Sequence, residues 1–388
     1  MKRRSSSIAV LGRAPAVSRL RVETVGDYQS FLALEPAWNR LMERAGVEHP
    51  FLEFEWARTW WESFGGGKRL FLLLVWDGGE LRAIAPLLLN RQRMYGLKLR
   101  QLELFHNDQA GRLDFLVAQP DAEVYGAIWQ HLAELDGVWD AIKLCQVPAD
   151  SPTLEQWNSL ARADGLLTGV WRSSNTPCLS LEGNWERYLA GLRSAQRSEL
   201  GRRERRLAEL GPLELEVVCA PDQVAAAIEE AMPMQAAEWR VKARAGIGRP
   251  AQVRRFYATL AGRFSARGRL RLCFLRLNEK RIAFGFGVSC ANRLYLLRSG
   301  CDARYASYAP SSVLLSRLIR RSFDSGLAAI ELPGEDGGNL EWTRESRPHY
   351  WIFVFRHSVR DSLLRQARFR LAMLRDGQLT EDAEPVAA

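Results

Sequence analysis

The stretch Arg69-Leu70-Phe71-Leu72-Leu73-Leu74-Val75-Trp76-Asp77-Gly78-Gly79-Glu80-Leu81-Arg82-Ala83-Ile84-Ala85 aligns without a gap on Arg269-Leu270-Arg271-Leu272-Cys273-Phe274-Leu275-Arg276-Leu277-Asn278-Glu279-Lys280-Arg281-Ile282-Ala283-Phe284-Gly285. Each copy is an apolar, β-favouring run, a short polar turn carrying Gly or Asn, and a second apolar run, which is the pattern of a hairpin. A second echo follows in the same order: Trp139-Asp140-Ala141-Ile142-Lys143-Leu144 against Leu327-Ala328-Ala329-Ile330-Glu331-Leu332. An amphipathic helix precedes each, at about 121–135 and 311–325. Their apolar positions (Val124, Ile128, Trp129 and Leu132; Val313, Leu314, Leu318 and Ile319) keep the three-and-four spacing of one buried face. Third strands are expected at 99–105 and 294–298. Two matches in one order predict a tandem pair of one α/β unit with a mixed sheet.

The chain has 388 residues, 47% hydrophobic and 26% charged, which excludes a disordered, collagenous or coiled-coil chain. At that length two cores are expected. The turn-rich Trp171-Arg172-Ser173-Ser174-Asn175-Thr176-Pro177 places their boundary near 165–177. The organisation expected is a loose arm (1–18), a first domain (19–170), a second domain (171–374) and a tail (375–388). The second domain opens with a basic helix at about 185–210 and closes with an amphipathic helix at about 359–374.

Lys and Arg total 54 against 45 Asp and Glu, a net charge of +9, and only six of the basic residues are Lys. Arg forks grip carboxylate and phosphate at two points, which suits an anionic ligand, although genomic base composition raises Arg equally well. The six cysteines are scattered without C-x-x-C spacing and the five His are dispersed, so no metal site is expected. The apolar run after Met1-Lys2-Arg3-Arg4 is cut by Arg13, too early for a secretory signal. No run approaches the ~18 apolar residues of a membrane span. A cytoplasmic, reduced protein is expected.

Several motifs carry a family resemblance. They are Phe54-Glu55-Trp56-Ala57-Arg58-Thr59-Trp60-Trp61-Glu62-Ser63-Phe64-Gly65, Ile84-Ala85-Pro86-Leu87 and Asp114-Phe115-Leu116-Val117 in the first half. In the second half they are Arg193-Ser194-Ala195-Gln196-Arg197, Glu238-Trp239-Arg240, Gly300-Cys301-Asp302-Ala303-Arg304-Tyr305, Tyr308-Ala309-Pro310-Ser311-Ser312-Val313-Leu314-Leu315 and Leu340-Glu341-Trp342-Thr343. Together they resemble the GNAT-like family often labelled CelD-like, a relative of the FemABX aminoacyl transferases. The resemblance covers about 20–355. It implies tandem GNAT-like acyltransferase domains, acetyl-CoA or another acyl-CoA as co-substrate, and a link with exopolysaccharide or cell-envelope synthesis. Where such proteins carry Tyr-Lys before the Trp-Thr pair, this chain has Asn339-Leu340, so no role tied to that Lys transfers.

The GNAT layout puts the acyl-CoA pyrophosphate at the N-terminus of the helix after the central strand, where free N–H groups and the helix dipole favour an anion. In the second half that start is uncharged, Tyr308-Ala309-Pro310-Ser311-Ser312. In the first half it opens on Asp121 and Glu123, which repel an anion. The fourth strands differ in the same direction, with Glu331 in the second half and Lys143 in the first. The second half is therefore read as donor-binding, through Ser311 and Ser312 at the pyrophosphate and backbone N–H groups from Arg298 through Gly300 to Cys301 at the thioester oxygen. Glu331 is read as the base for the acceptor ammonium, and Tyr308 or Tyr305 as proton donor to the thiolate. Trp239, Arg240, Trp342 and Asp114 are read as acceptor-binding, with His106, Asp108, Glu335, Asp336 and Glu341 nearby. Each also has a plain reading as a cap, core or surface residue.

No Ser or Cys has an adjacent His base, so direct attack without a covalent enzyme intermediate is expected. The acceptor would be an amine or a sugar hydroxyl on a small molecule, saccharide or peptide. Two other readings stay open. Arginines 193, 197, 202, 203, 205 and 206 suit an aminoacyl-tRNA donor, against which stand the interleaved Glu199, Glu204 and Glu209 and a lack of stacking aromatics. The other is a non-catalytic module binding a partner or saccharide. The helix at 359–374, with Arg360, Arg365, Arg368 and Arg370, would dock on its own domain or touch an anionic membrane surface.

Overall fold

The computed structural model describes residues 20–94, 97–107, 111–235, 250–334 and 339–356. The first half runs β1 (Leu20–Val25), α1 (Tyr28–Ala33), α2 (Glu35–Ala45), a 3-10 turn (Pro50–Leu52) and α3 (Phe54–Phe64). It continues through β2 (Arg69–Asp77), β3 (Glu80–Met94), β4 (Leu97–Leu104), β5 (Leu116–Val117), α4 (Ala122–Glu134), β6 (Ala141–Pro148) and α5 (Pro152–Ala163). After β7 (Leu167–Ser180) come α6 (Trp185–Gly191), α7 (Ser194–Ala208), β8 (Leu213–Val218), α8 (Pro221–Ala231) and a 3-10 turn (Met232–Gln235). The remaining elements are α9 (Pro250–Ala266), β9 (Leu270–Leu277), β10 (Lys280–Cys290), β11 (Arg293–Cys301), a 3-10 turn (Ala303–Tyr308), α10 (Pro310–Asp324), β12 (Ala329–Glu331) and β13 (Ser346–Phe355).

The repeat holds at the level of single backbone angles. Gly78 and Asn278 occupy the same turn position and both are left-handed, with φ of 59° and 53°. Gly and Asn are the residues that tolerate this region best. Asp77 pairs with Glu80 and Trp76 with Leu81, after which the register slips past Arg82. In the second copy Leu277 pairs with Lys280 and Arg276 with Arg281, and the slip falls at Ile282. The parallel joins also correspond: Gln101–Glu103 of β4 pair with Ala141–Lys143 of β6, and Arg293–Tyr295 of β11 with Ala329–Glu331 of β12.

The described strands form a single sheet in the order β1-β2-β3-β4-β6-β13-β7-β12-β11-β10-β9-β8, with β5 beside β3. Two sequence readings change here. The stretch 171–177 lies inside β7, because β13 pairs with Leu167 to Pro177 and β12 with Cys178 to Ser180. Pairing on one side and then the other overrides a polar, Pro-ending composition. The basic segment 185–210 is two helices, since Leu192 is extended between them. β13 arrives from the far end of the described chain and lies between β6 and β7 of the first half.

One hydrophobic cluster fills the first half and continues onto one face of the second-half sheet, while a second covers the opposite face beneath α10 and α7. The join is made by α3 and α9. Trp56 meets Phe256 edge-on at 5.3 Å and Phe64 meets it at 5.4 Å. Truncating fully buried Phe256 leaves a cavity against both rings, so Phe256→Ala is expected to cost about 3–5 kcal/mol. In urea unfolding followed by tryptophan fluorescence and far-UV dichroism, both signals should move together to a lower midpoint; two separated transitions would contradict a shared core.

Candidate active site

The two halves differ where β11 leaves β12. Parallel pairing stops at Tyr295 opposite Glu331, yet β11 runs on through Leu296–Cys301 bonded to β10. In the first half β4 ends one residue past its last pair, at Leu104. The second half thus opens a wedge between neighbouring strands that the first half lacks. At the mouth of the wedge the register slips, Gly287 pairing with Leu296 and Phe286 with Arg298, so Leu297 bulges. The β3–β4 ladder has no such slip. Gly285 and Gly287 make the bulge possible: a Cβ on Gly287 would stand 2.9 Å from Leu294 and 3.0 Å from the Arg271 carbonyl. Their counterparts in the first copy are Ala85 and Leu87. Bulges redirect backbone groups and recur beside active sites.

The helix start differs too. Asp121 caps α4, accepting from the Val124 amide at 2.8 Å. On α10 the capping residue is Ala309, left-handed at φ 51°, no side chain caps the first turn, and Pro310 leads. Arginines of α7 reach this end: Arg203 donates to Ser312 Oγ at 3.1 Å, and Arg206 lies 4.8 Å over the Tyr308 ring. Ser311 is half-buried in the same first turn.

Other residues singled out in the sequence have local partners. Arg298 donates through Nε to the Tyr257 hydroxyl at 3.0 Å, which ties β11 to α9. Gly300 has no room for a Cβ, which would meet Phe284 at 2.7 Å and the Met234 carbonyl at 3.1 Å. Trp342 is buried in the second-half core, with its carbonyl accepting from Tyr188, so it does not wall a cleft. Asp114 is enclosed in the first half rather than at the junction. It accepts from Thr153 Oγ1 at 2.5 Å at the start of α5, and burial pushes its carboxyl up to about 6 against the pull of Ser151 and Thr153. Trp239, Arg240, Asp108, Glu335, Asp336 and the segment 359–374 lie outside the described residues.

Glu331 stands on the face of β12 opposite Ile330, as alternation requires. Ile330 joins the core under α10, and Glu331 meets the first half, where Arg112 Nη2 lies 3.3 Å from both carboxylate oxygens. Arg347 of β13 adds a contact at 3.8 Å. Its counterpart Lys143 instead lies 4.7 Å over the Trp351 ring. Directly across from Glu331, Tyr295 donates its hydroxyl to the Glu48 carbonyl at 2.5 Å.

Two histidines complete this junction. His49 is pushed well below the usual imidazole range, first by burial and then by Arg112. His349, with no exposed surface, is lowered to about 4 by burial and Arg112. Sequence reasoning missed Arg112, Arg347 and both histidines, which are spread over three hundred residues with no shared spacing. The one available signal for the wedge was a pair of glycines inside a strand pattern, Gly285 and Gly287.

Residues 194–344 match the family model described as an acetyltransferase (GNAT) domain. The second half has the GNAT fold. No curated protein is similar in sequence to the chain. Three solved structures share its fold over most of its length: a DUF2156 domain from Agrobacterium fabrum (11% identity, TM-score 0.53, 89% of this chain and 97% of that one), FemX (11%, 0.53, 90% and 99%) and a protein of unknown function from Bacteroides thetaiotaomicron VPI-5482 (13%, 0.52, 87% and 100%). A fold shared with FemX therefore extends over both halves. Among the described residues no group of His, Cys, Asp and Glu could hold a metal, and no helix is long and apolar enough to cross a membrane.

His349 supplies a test of the junction. Its folded value lies below the unfolded 6.5, so the unfolded chain takes the proton first as pH falls. The stability it contributes is whole above about pH 6.5 and is lost toward pH 4, on the order of 3 kcal/mol. His349→Gln is expected to flatten that part of the urea stability profile relative to wild type; an unchanged slope would mean His349 titrates normally.

Proposed function

We propose that the chain is an acyltransferase whose second half binds acyl-CoA and whose first half completes the acceptor site. The observation that carries this is the wedge and bulge at Leu296–Cys301, present in the GNAT half and missing from its internal copy. A flat thioester arm can lie along β11 there as an added strand would, bonding to backbone groups that β12 leaves unpaired. The pyrophosphate would then meet the first turn of α10, which holds no acidic residue and is flanked by Arg203.

In the proposed reaction the acceptor nitrogen attacks the thioester carbonyl carbon. The C–N bond forms, the C–S bond breaks, and the thiolate leaves and takes up a proton. Backbone N–H groups at the Leu297 bulge face the developing oxyanion. Glu331, level with the last paired residue of β11, takes the ammonium proton directly or through water. Tyr308, at the helix start, is the proposed proton source for the thiolate.

The arginines of α7 argue against an aminoacyl-tRNA donor. Arg202 and Arg203 share Glu199, and Arg197 is tied to the Ala190 carbonyl, so three of these arginines are engaged within the protein. An acceptor in exopolysaccharide or cell-envelope synthesis rests on the CelD-like resemblance.

Calorimetry with acetyl-CoA, longer acyl-CoAs and bulk tRNA separates the donors, and no heat from any CoA would sink this reading. Ser312→Asp would capture Arg203 and put a negative charge at the helix start. It is expected to weaken CoA binding at least tenfold with an unchanged melting curve; equal affinity would place the pyrophosphate elsewhere. Glu331→Gln is expected to lower kcat by about 10²-fold while leaving CoA affinity intact, whereas an undiminished kcat would remove Glu331 from the reaction.

A further inference from the structure

The junction around Glu331 gathers several buried polar atoms that lack a hydrogen-bond partner among the described residues. Arg269 closes on Glu53 at 2.6 Å and Arg263 on Glu62 at 2.8 Å, but buried Arg112 reaches Glu331 only at 3.3 Å. Arg112, 9% exposed, has no partner for its Nε, and His49 has none for Nδ1. His349 forms no well-shaped hydrogen bond at either ring nitrogen, with the Ser174 backbone beside it. Buried groups of this kind are rare in a folded protein unless something else completes them.

The backbone here is irregular as well. β13 slips register against β7 between Pro348 and Tyr350, and against β6 between Tyr350 and Ile352. Gln146 is left-handed at φ 59°, and its Oε1 accepts the Ser173 and Ser174 hydroxyls at 3.0 Å each. Strained, bulged backbone surrounded by polar side chains is a feature of ligand sites. Arg347, whose side chain is 39% exposed, gives the cluster an open side.

The charges define the ligand. Two guanidiniums, Arg112 and Arg347, face the one buried carboxylate, Glu331, while exposed Asp150 also acts on Arg347 and His349 from the solvent side. Arg forks select planar carboxylates, and a lone carboxylate selects an amine. We propose that this junction is the acceptor subsite and that it recognises an amino acid, with Arg347 and Arg112 taking its carboxylate and Glu331 its amine. The assignment rests on the acyltransferase reading above, since it puts the amine beside the wedge where the thioester would lie. It also gives the first half a function, because Arg112 and His49 come from there.

Saturation-transfer NMR on the full chain, with the twenty free amino acids and separately their carboxamides, tests this without turnover. At least one amino acid should contact the protein, its carboxamide should bind at least tenfold more weakly, and Arg347→Gln should remove that preference. Arg347 is the position to change because it is half-exposed, and an unaltered melting curve checks the variant's fold. Equal signals from acid and amide, no signal from any amino acid, or an unaffected Arg347→Gln would each overturn the proposal. CoA calorimetry on the same two proteins keeps the readings apart. Heat with CoA but no amino-acid contact removes only the acceptor assignment; amino-acid contact without CoA heat removes only the donor.

Discussion

Strand β13 is hydrogen-bonded along both edges by strands of the first half, although the whole second unit separates it from them in the chain. That pairing is the constraint on which the rest depends. With β13 in place β7 has partners along its full length, one half's sheet runs into the other's, and Arg347 and His349 are carried to the loop that holds Arg112. Neither unit closes its own sheet, which is why two copies of one fold behave as a single body with a shared core.

The arginines acquire a different meaning in this setting. Arg263 grips Glu62, Arg267 meets Glu35 and Glu55, Arg269 meets Glu53, and Arg293 faces Glu48. In each pair the base comes from the second half and the acid from the first, ringing the apolar contact of α3 with α9. Partly exposed pairs of this type add little stability one by one, but their consistent polarity fixes how the halves face each other. Arg112 and Glu331 reverse the polarity, and theirs is the buried, loosely closed pair.

The repeat shows where two copies of one design diverge. Turn, hairpin register slip and parallel join have been kept position for position. What changed lies at the C-terminal end of the central strand and at the helix start behind it: Gly285 and Gly287 against Ala85 and Leu87, uncapped Ala309 against Asp121, Glu331 against Lys143. The first copy has become a filled, capped scaffold. In the second, β11 runs on past its last pair with β12 and no side chain caps the first turn of α10.

Gap-free similarity between 69–85 and 269–285 carried the tandem α/β architecture, because hairpin register and turn conformation are set by residues a few positions apart. The charge contrast between the two helix starts was equally legible, since a cap acts on its own first turn. Two of the overturned readings failed for one reason. Trp171 to Pro177 has a turn's composition but a strand's neighbours, and Trp342 has a loop's sequence but lies in the core. Of the junction of His49, Arg112, Glu331, Arg347 and His349 only Glu331 stood out in the sequence, because His49, Arg112 and the Arg347–His349 strand come within reach of it only once the sheet is assembled. Local order was written locally; the site was decided by a strand that crosses from one end of the chain to the other.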